Sequence, residues 1–211
     1  MYKIKEFFNK LLEVSHYNNQ DEIQRYFGEV ADHLFKHVAI EAGNDAFTFV
    51  EVEFYYYKKG VFEGPLFNCT YPRTRKAGQF FWHYSGIDIC FESIEKDGYF
   101  GGILIRSLKK NGGEIIAGPM RCSDELMNSC NHELPSLIEY ESNQKESILS
   151  TIRYGISADK EQQEAQKLFC FYLKQDDWTR KRKNVLVADK TSGGYKTTSK
   201  KDYYSAQPDK R

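Results

Sequence analysis

Residues 46–57 constrain the fold more than any other part of the sequence. They are almost all β-branched, aromatic or acidic, and no Gly or Pro interrupts them, which is typical of a β-strand. Because side chains alternate between the two faces of a strand, one face is predicted to be apolar and the other to carry two carboxylates and two tyrosines. The predicted apolar face holds Thr48, Val50, Val52 and Phe54, and the predicted polar face holds Glu51, Glu53, Tyr55 and Tyr57.

Strands are predicted in the middle of the chain and helices towards both of its ends. Apolar residues recur at helical spacing in two N-terminal segments, 3–14 and 21–37, and Asp21 is the predicted N-cap of the second. Further strands are predicted at 79–84, 87–93, 101–108 and 168–174, and further helices near 123–130, 145–154 and 158–166. This arrangement predicts a single α+β domain at 1–186, followed by a basic, flexible tail at 187–211.

The charge of the chain is balanced but unevenly distributed. Thirty Lys and Arg face thirty Asp and Glu, which excludes a protein whose whole surface binds a polyanion. From residue 174 onward there are eleven Lys and Arg against five Asp and Glu, a net charge of +6 that leaves −6 on the remainder. Such a basic end either neutralises a few phosphates or is simply a solvated, disordered tail, and the sequence leaves both open.

The five cysteines are odd in number, scattered and without a CxxC pair, which favours reduced thiols over a disulfide framework. No metal site is expected, because only Cys130 and His132 lie close together among possible ligands. The N-terminus lacks the apolar stretch of a signal peptide, and no apolar run approaches the ~18 residues of a membrane span. We therefore expect a cytoplasmic protein (or a nuclear one in a eukaryote) that is not secreted and has no membrane partner and no obligate protein partner.

Arg106 interrupts an otherwise apolar predicted strand, so it requires a partner. Glu53 and Glu51, on another predicted strand, are the candidate partners. Two interpretations stay open: a structural buried ion pair, or a carboxylate held beside a cation as a general base.

Eight segments occur in the same order as segments of the alkyladenine (3-methyladenine) DNA glycosylases. Residues 50–55 (VEVEFY) resemble the V-E-T-E-A-Y strand of that family, 29–34 (EVADHL) its preceding E-L-A-R-x-L helix, 71–74 (YPRT) its T-P-R-[NT] loop, 86–91 (GIDICF) its G-M-x-x-C-[LM] strand and 102–108 (GILIRSL) its A-V-L-[IL]-R-A-L strand. Residues 118–122 (GPMRC), 153–156 (RYGI) and 168–173 (LFCFYL) are similar to its G-P-x-K-L-C, R-[IV]-G-[IV] and R-F-Y-V segments. The resemblance covers roughly residues 29–182.

The resemblance implies both a fold and a reaction. Enzymes of this family flip a damaged purine out of the duplex, stack it between aromatic side chains and use a glutamate to activate the water that attacks the sugar C1′. It therefore implies a curved, mainly antiparallel sheet flanked by helices, and a monofunctional hydrolase of base excision repair with DNA as its partner and no cofactor or metal. By motif position, Glu53 is the general base and Arg106 the arginine beside it.

Further positions of the family's site map onto this sequence, some of them onto residues of a different type. Tyr55 and Trp82 are the implied stacking walls. Glu92 takes the position of a pocket asparagine, where it either contacts an amino group of the purine or faces solvent. The family's pocket histidine has no counterpart, because no His occurs between His37 and His83.

DNA contacts are expected from Ser85, Tyr84 and Arg73. Ser85 stands where the family inserts a tyrosine into the duplex, and Tyr84 precedes it. These departures leave three functions open: excision of a modified purine from DNA, non-catalytic nucleic-acid binding on a retired glycosylase fold, and hydrolysis of single-stranded or free nucleoside substrates.

Overall fold

Helices and strands form an α+β fold, as the sequence predicts. The computed structural model describes residues 2–64, 66–142, 147–151, 153, 156 and 168–173, and the backbone alone of 184–188 and 195–199. The α-helices among these residues are α1 (Tyr2–Leu12), α2 (Gln20–His37) and α3 (Pro119–Ser129). The strands are β1 (Val38–Ala42), β2 (Asp45–Lys58), β3 (Phe80–His83), β4 (Gly86–Cys90), β5 (Tyr99–Lys110), β6 (Ile115–Ala117), β7 (Ser136–Glu139), β8 (Ile148–Thr151), β9 (Cys170–Leu173), β10 (Asn184–Ala188) and β11 (Tyr195–Ser199).

Strands β1 to β9 form one antiparallel sheet that curls into a half-barrel. The main strand order is β3-β4-β5-β2-β1-β7; β6 pairs with β5, and β9 pairs with both β2 and β8. The expected curved, mainly antiparallel sheet is thereby confirmed. Strands β10 and β11 pair only with each other among the described strands, within a segment that the sequence predicts to be largely a flexible tail. The division of the chain at residue 186 stays a prediction.

Strand β2 is the centre of the sheet, and a bulge interrupts it. Its register against β5 shifts between Phe49 and Val52, so both of these side chains enter the main core although three positions separate them. Val50 instead packs beside Ile115 in a small separate cluster. The prediction that Val50 shares a face with Val52 is therefore wrong, because an extra residue at a bulge reverses the alternation beyond it.

The main core lies between the sheet and the N-terminal helices. Phe27 of α2 stacks on Phe54 of β2, with ring centroids 4.6 Å apart, and on Phe91, at 5.7 Å. Helix α2 begins two residues earlier than predicted, because the Asn19 side chain accepts the backbone N–H of Asp21 at 2.9 Å. Asn19, and not Asp21, is therefore the N-cap.

Two other predicted helices differ from the structure. The prediction of a helix across 145–154 is wrong for its described residues 148–151, which are extended and pair with β9 as strand β8. The helix predicted at 158–166 lies outside the described residues. Helix α3 starts earlier than predicted because Pro119 occupies its first turn, a position that Pro favours. In the described part of the chain, no helix is long and apolar enough to cross a membrane.

Candidate active site

A cavity of about 480 Å³ opens on the polar face of the sheet, a volume within the range of small-molecule sites. Strands β2 and β5 form its floor, and the segment before β3, the turn between β3 and β4 and the start of α3 form its sides. It is lined by Tyr55, Asn68, Cys69, Thr70, Tyr71, Pro72, Arg73, His83, Tyr84, Ser85, Asp88, Leu104, Arg106, Pro119 and Ile156.

The pairing of β2 with β5 brings the two predicted catalytic residues together. Glu53 lies opposite Leu104, and Arg106 follows two positions later on the same face of β5. The Nη1 of Arg106 donates to the Oε2 of Glu53 over 3.1 Å. The Tyr55 hydroxyl donates to the same oxygen over 2.9 Å. Glu53 and Arg106, the two residues expected to carry the chemistry, therefore meet at the base of the cavity, together with Tyr55, which was expected to be a stacking wall.

The Glu53 carboxylate lies beneath its two partners and not at the cavity surface. Its side chain is 0% exposed, whereas that of Arg106 is 17% exposed. Burial raises the pKa of Tyr55 well above its ordinary value, and the negative charge of Glu53 raises it further, so this hydroxyl stays a hydrogen-bond donor. Burial acts to lower the pKa of Arg106, but the charge of Glu53 outweighs it and the pKa is raised overall.

Glu51 completes this charged group behind Arg106. Its carboxylate lies 3.6 Å from the Nε of Arg106 and accepts hydrogen bonds from the Ser107 hydroxyl over 3.2 Å and the Cys170 thiol over 3.5 Å. Burial, followed by the charge of Glu53, raises the pKa of Cys170 well above its ordinary value, so it is a thiol and not a thiolate.

Ligand atoms of Glu51, Glu53 and Cys170 lie within 4.8 Å of one another, close enough to share a metal ion. Arg106, however, already bridges the two carboxylates, and an ion would have to displace its guanidinium. The neutral Cys170 would also have to lose its proton to become a ligand. The residues present therefore favour an Arg-centred charge network over a metal centre.

A second polar group, which we call the Asp88 cluster (Arg73, His83 and Asp88), forms the opposite wall. The Nη1 of Arg73 donates to Asp88 over 2.6 Å, and the Nε2 of His83 lies 3.1 Å from the other oxygen of the same carboxylate. The backbone N–H of Ser85 points at the Nδ1 of His83 over 3.2 Å, which makes Nδ1 the acceptor and places the proton on Nε2. Sequence reasoning missed this cluster, although Asp88 interrupts the apolar strand β4 just as Arg106 interrupts β5.

Aromatic side chains form the rim of the cavity. The Tyr71 ring lies 4.6 Å from the His83 ring and 5.5 Å from that of Tyr84. The hydroxyls of Tyr71 and Ser85 are hydrogen-bonded over 3.0 Å. Tyr84, at the tip of the turn between β3 and β4, is 82% exposed, so it is available to a large ligand outside the cavity.

The prediction that Trp82 forms a wall of the cavity is wrong. Trp82 pairs with Ile87, and both side chains lie on the core face of the sheet, where Trp82 contacts Phe80 with ring centroids 5.7 Å apart. Because side chains alternate along β3, Phe81 and His83 take the opposite face. His83, and not Trp82, therefore lines the cavity.

Glu92 and Arg73 also differ from their predicted roles. Glu92 lies outside the cavity lining and accepts the backbone N–H of Ala77 over 2.9 Å, so its predicted contact with a base is wrong. The Arg73 side chain lines the cavity but is only 1% exposed, beneath Asp88 and with its guanidinium 4.3 Å from the Phe81 ring. This burial excludes a contact between Arg73 and DNA phosphates outside the cavity.

Arg153 supports the floor of the cavity from behind. It is 2% exposed and donates to the carbonyl oxygens of Phe54 over 3.2 Å and Leu66 over 2.6 Å. Its guanidinium lies 4.8 Å from the centre of the Tyr55 ring. The resemblance singles out the segment around Arg153, but no local pattern in the sequence indicates that it packs against Tyr55.

No family model matches this sequence, and no curated protein matches it either. The polar and aromatic residues of the cavity are therefore the basis on which a function can be assigned.

Proposed function

We propose that the protein is a DNA glycosylase-like hydrolase that cleaves the N-glycosidic bond of a modified purine nucleotide, with Glu53 activating water. One observation supports this above all: the Glu53 carboxylate is held by Arg106 and Tyr55 at the base of a cavity of about 480 Å³. A carboxylate positioned by a cation directly beneath a cavity has the parts that a general base requires once the Tyr55 hydroxyl above it moves aside.

The burial of Glu53 defines how a substrate must approach. Tyr55 lines the cavity, and its hydroxyl is hydrogen-bonded to the Oε2 of Glu53. An entering nucleotide therefore has to displace this hydroxyl before water can reach the carboxylate. Water then transfers a proton to Glu53 while its oxygen bonds to C1′, and the bond from C1′ to the base nitrogen breaks. The departing purine takes the bonding electrons. A purine that already carries a positive charge leaves as a neutral base, and a neutral purine takes up a proton from solvent, to which Glu53 returns the proton that it accepted from water. Arg106 keeps the carboxylate oriented, and the negative charge of Glu53 stabilises the positive charge that develops on the sugar.

The base would be held between aromatic side chains of the cavity. Tyr55 supplies one wall, and Tyr71 with His83 supplies the other in place of Trp82. Tyr84 is the exposed aromatic residue at the rim, suited to contacting the nucleotides next to the one that enters.

The test is release of the base from oligonucleotides that carry hypoxanthine, 3-methyladenine or ethenoadenine, as single strands and as duplexes. We expect slow release by the unaltered protein and a loss of ~10²–10⁴-fold in Glu53→Gln, the usual contribution of a general base. Glu92→Gln is the matched control, because this carboxylate lies outside the cavity. The proposal fails if no base is released from any of these substrates, or if Glu53→Gln is as active as the control while both variants are folded.

The full burial of Glu53 favours one second candidate, a non-catalytic nucleic-acid-binding protein in which Glu53 and Arg106 form a structural ion pair. Such a protein would bind DNA with an affinity that falls steeply with salt, and Glu53→Gln would leave that binding unchanged. Equal release from single strands and duplexes would instead point to single-stranded or nucleoside substrates.

A further inference from the structure

A row of aromatic rings follows strand β3 from the mouth of the cavity to a point beyond it. Each ring contacts the next in the order Tyr84, Tyr71, His83 and Phe81. The first three residues line the cavity, whereas Phe81 lies outside its lining. Strand β3 is at the edge of the sheet and pairs with β4 alone among the described strands, so the sheet leaves its other side uncovered. We call these four rings, together with Arg75 beside Phe81, the aromatic row.

Arg75 gives the far end of the aromatic row a positive charge. Its guanidinium lies 5.6 Å from the centre of the Phe81 ring, and its side chain is exposed. It donates to the carbonyl oxygen of Thr74 over 2.9 Å and forms no ion pair with a residue that the structure describes. Asp88, the carboxylate next to the row, is already paired with Arg73. The charge of Arg75 is therefore available to an anionic partner.

Aromatic rings next to an available cation match the two parts of a nucleotide. Bases stack on aromatic rings and on guanidinium planes, and phosphates bind cations. A ring can stack in this way only on a base whose face is free, and inside a duplex each base is covered by its neighbours. Tyr84 and Arg75 are exposed at the two ends of the row, and the three rings between them are partly exposed. The row thus suits an unpaired strand better than a duplex.

We infer that the aromatic row is a docking surface for single-stranded DNA, which binds the unpaired nucleotides on one side of the nucleotide that enters the cavity. The inference rests on the proposed function for the choice of DNA, and it adds a preference for single strands. Because three of the four rings also line the cavity, a strand with one base inside the cavity can continue directly over the row.

The test is the binding of fluorescently labelled oligothymidylate to the whole chain, measured by fluorescence anisotropy. Thymine is not a purine, so this binding is independent of base release. Tyr84→Ala should weaken it at least ~5-fold, the lower end of what one stacked base contributes, and Tyr84→Trp, which keeps an aromatic face, should retain it. Tyr2→Ala is the matched control, because Tyr2 is 78% exposed on α1, which packs against the core face of the sheet.

Arg75→Ala tests the positive end of the row. It should weaken binding several-fold and reduce the slope of log affinity against log salt concentration by about 0.7, the share of one phosphate contact in a single strand. Lys36→Ala is the control for charge alone, because it removes a half-exposed cation from α2. This control should leave the slope nearly unchanged.

Both Tyr84 and Arg75 are exposed, so their replacement is expected to leave the protein folded. The inference is overturned if oligothymidylate does not bind, or binds equally well to a variant that carries both alanines, as it would if the basic end of the chain alone held the strand. It is also overturned if the variants weaken binding of the duplex with oligoadenylate as much as that of the single strand. Binding through the row without base release would contradict the proposed function alone. Base release with unchanged binding in both variants would contradict the docking surface alone.

Discussion

Replacement of Asp88 by Asn tests whether the Asp88 cluster is a buried charge network. Asp88 is 2% exposed and accepts both the Nη1 of Arg73 and the Nε2 of His83, one on each carboxylate oxygen. Asn offers only one oxygen to these two donors, and its NH2 group must face the other. The substitution therefore leaves Arg73 buried beside a neutral group, with one donor opposed by another donor.

Removal of one partner of a buried ion pair costs about 3–5 kcal/mol, because the remaining charge is left desolvated. For a total free energy of unfolding of about 5–15 kcal/mol, this is a large fraction. With a urea dependence of about 2 kcal/mol per molar, the midpoint of unfolding should fall by about 2 M.

The assay is urea unfolding followed by circular dichroism, with Asp32→Asn as the matched control. Asp32 pairs with Lys36 one helical turn away, and both side chains are about half exposed, 50% and 49%. An exposed pair of this kind contributes about 0.3–0.5 kcal/mol, so the control should move the midpoint only slightly. If Asp88→Asn shifts the midpoint no more than Asp32→Asn does, the account of Asp88 as a buried, charge-paired residue is refuted.

Three further predictions follow from the packing of the sheet. Gly101→Ala should lower the free energy of unfolding by about 1–3 kcal/mol, since a Cβ there would lie 2.3 Å from the Tyr55 carbonyl oxygen. Gly28→Ala is the control, because its Cβ would only make an ordinary contact with the Phe171 ring at 3.7 Å and Ala favours a helix; equal losses in thermal melts would contradict this packing. Trp82→Phe should leave the rate of base release from the modified oligonucleotides unchanged, because Trp82 faces the core, and slower release by a folded variant would show that its side chain reaches the cavity. Burial raises the pKa of Cys90 from 9.0 to about 11, so the folded state favours the neutral thiol. The contribution of this shift to the free energy of unfolding, about 3 kcal/mol, should be complete below pH 9 and lost between pH 9 and 11. Urea unfolding of Cys90→Ala at a series of pH values should lack this part of the alkaline loss of stability.

The pairing of Glu53 with Arg106 could be anticipated from the sequence because it follows from a strong physical constraint. A charged side chain in an apolar strand must find a partner, and Arg106 and Glu53 are the pair that meets this requirement on adjacent strands. The same reasoning applied to Asp88 would have indicated a second buried pair. Strand β2, at the centre of the sheet, and the α+β fold were predictable for a similar reason. An uninterrupted run of β-forming residues indicates a strand reliably when it extends over a long segment.

The orientation of individual side chains was less accessible. The bulge between Phe49 and Val52 depends on the pairing with β5, and no residue within it is a Gly or Pro that would mark it. Trp82 was assigned by its position in a family motif, but its face is determined by the two-residue turn of Tyr84 and Ser85 and by the register with β4. A difference of one position in such a turn exchanges the core and cavity faces of a whole strand.

The pairing of β9 with β2 has a consequence for how the protein is made. Cys170 of β9 contacts Glu51 of β2 although 119 residues separate them, and β9 lies directly beside the part of β2 that carries Glu53. During synthesis the carboxylates leave the ribosome long before the strand that covers them. The nascent chain therefore cannot enclose Glu53 until nearly the whole domain has emerged, and a product that stops before residue 168 would leave this acidic pair open to solvent on that side.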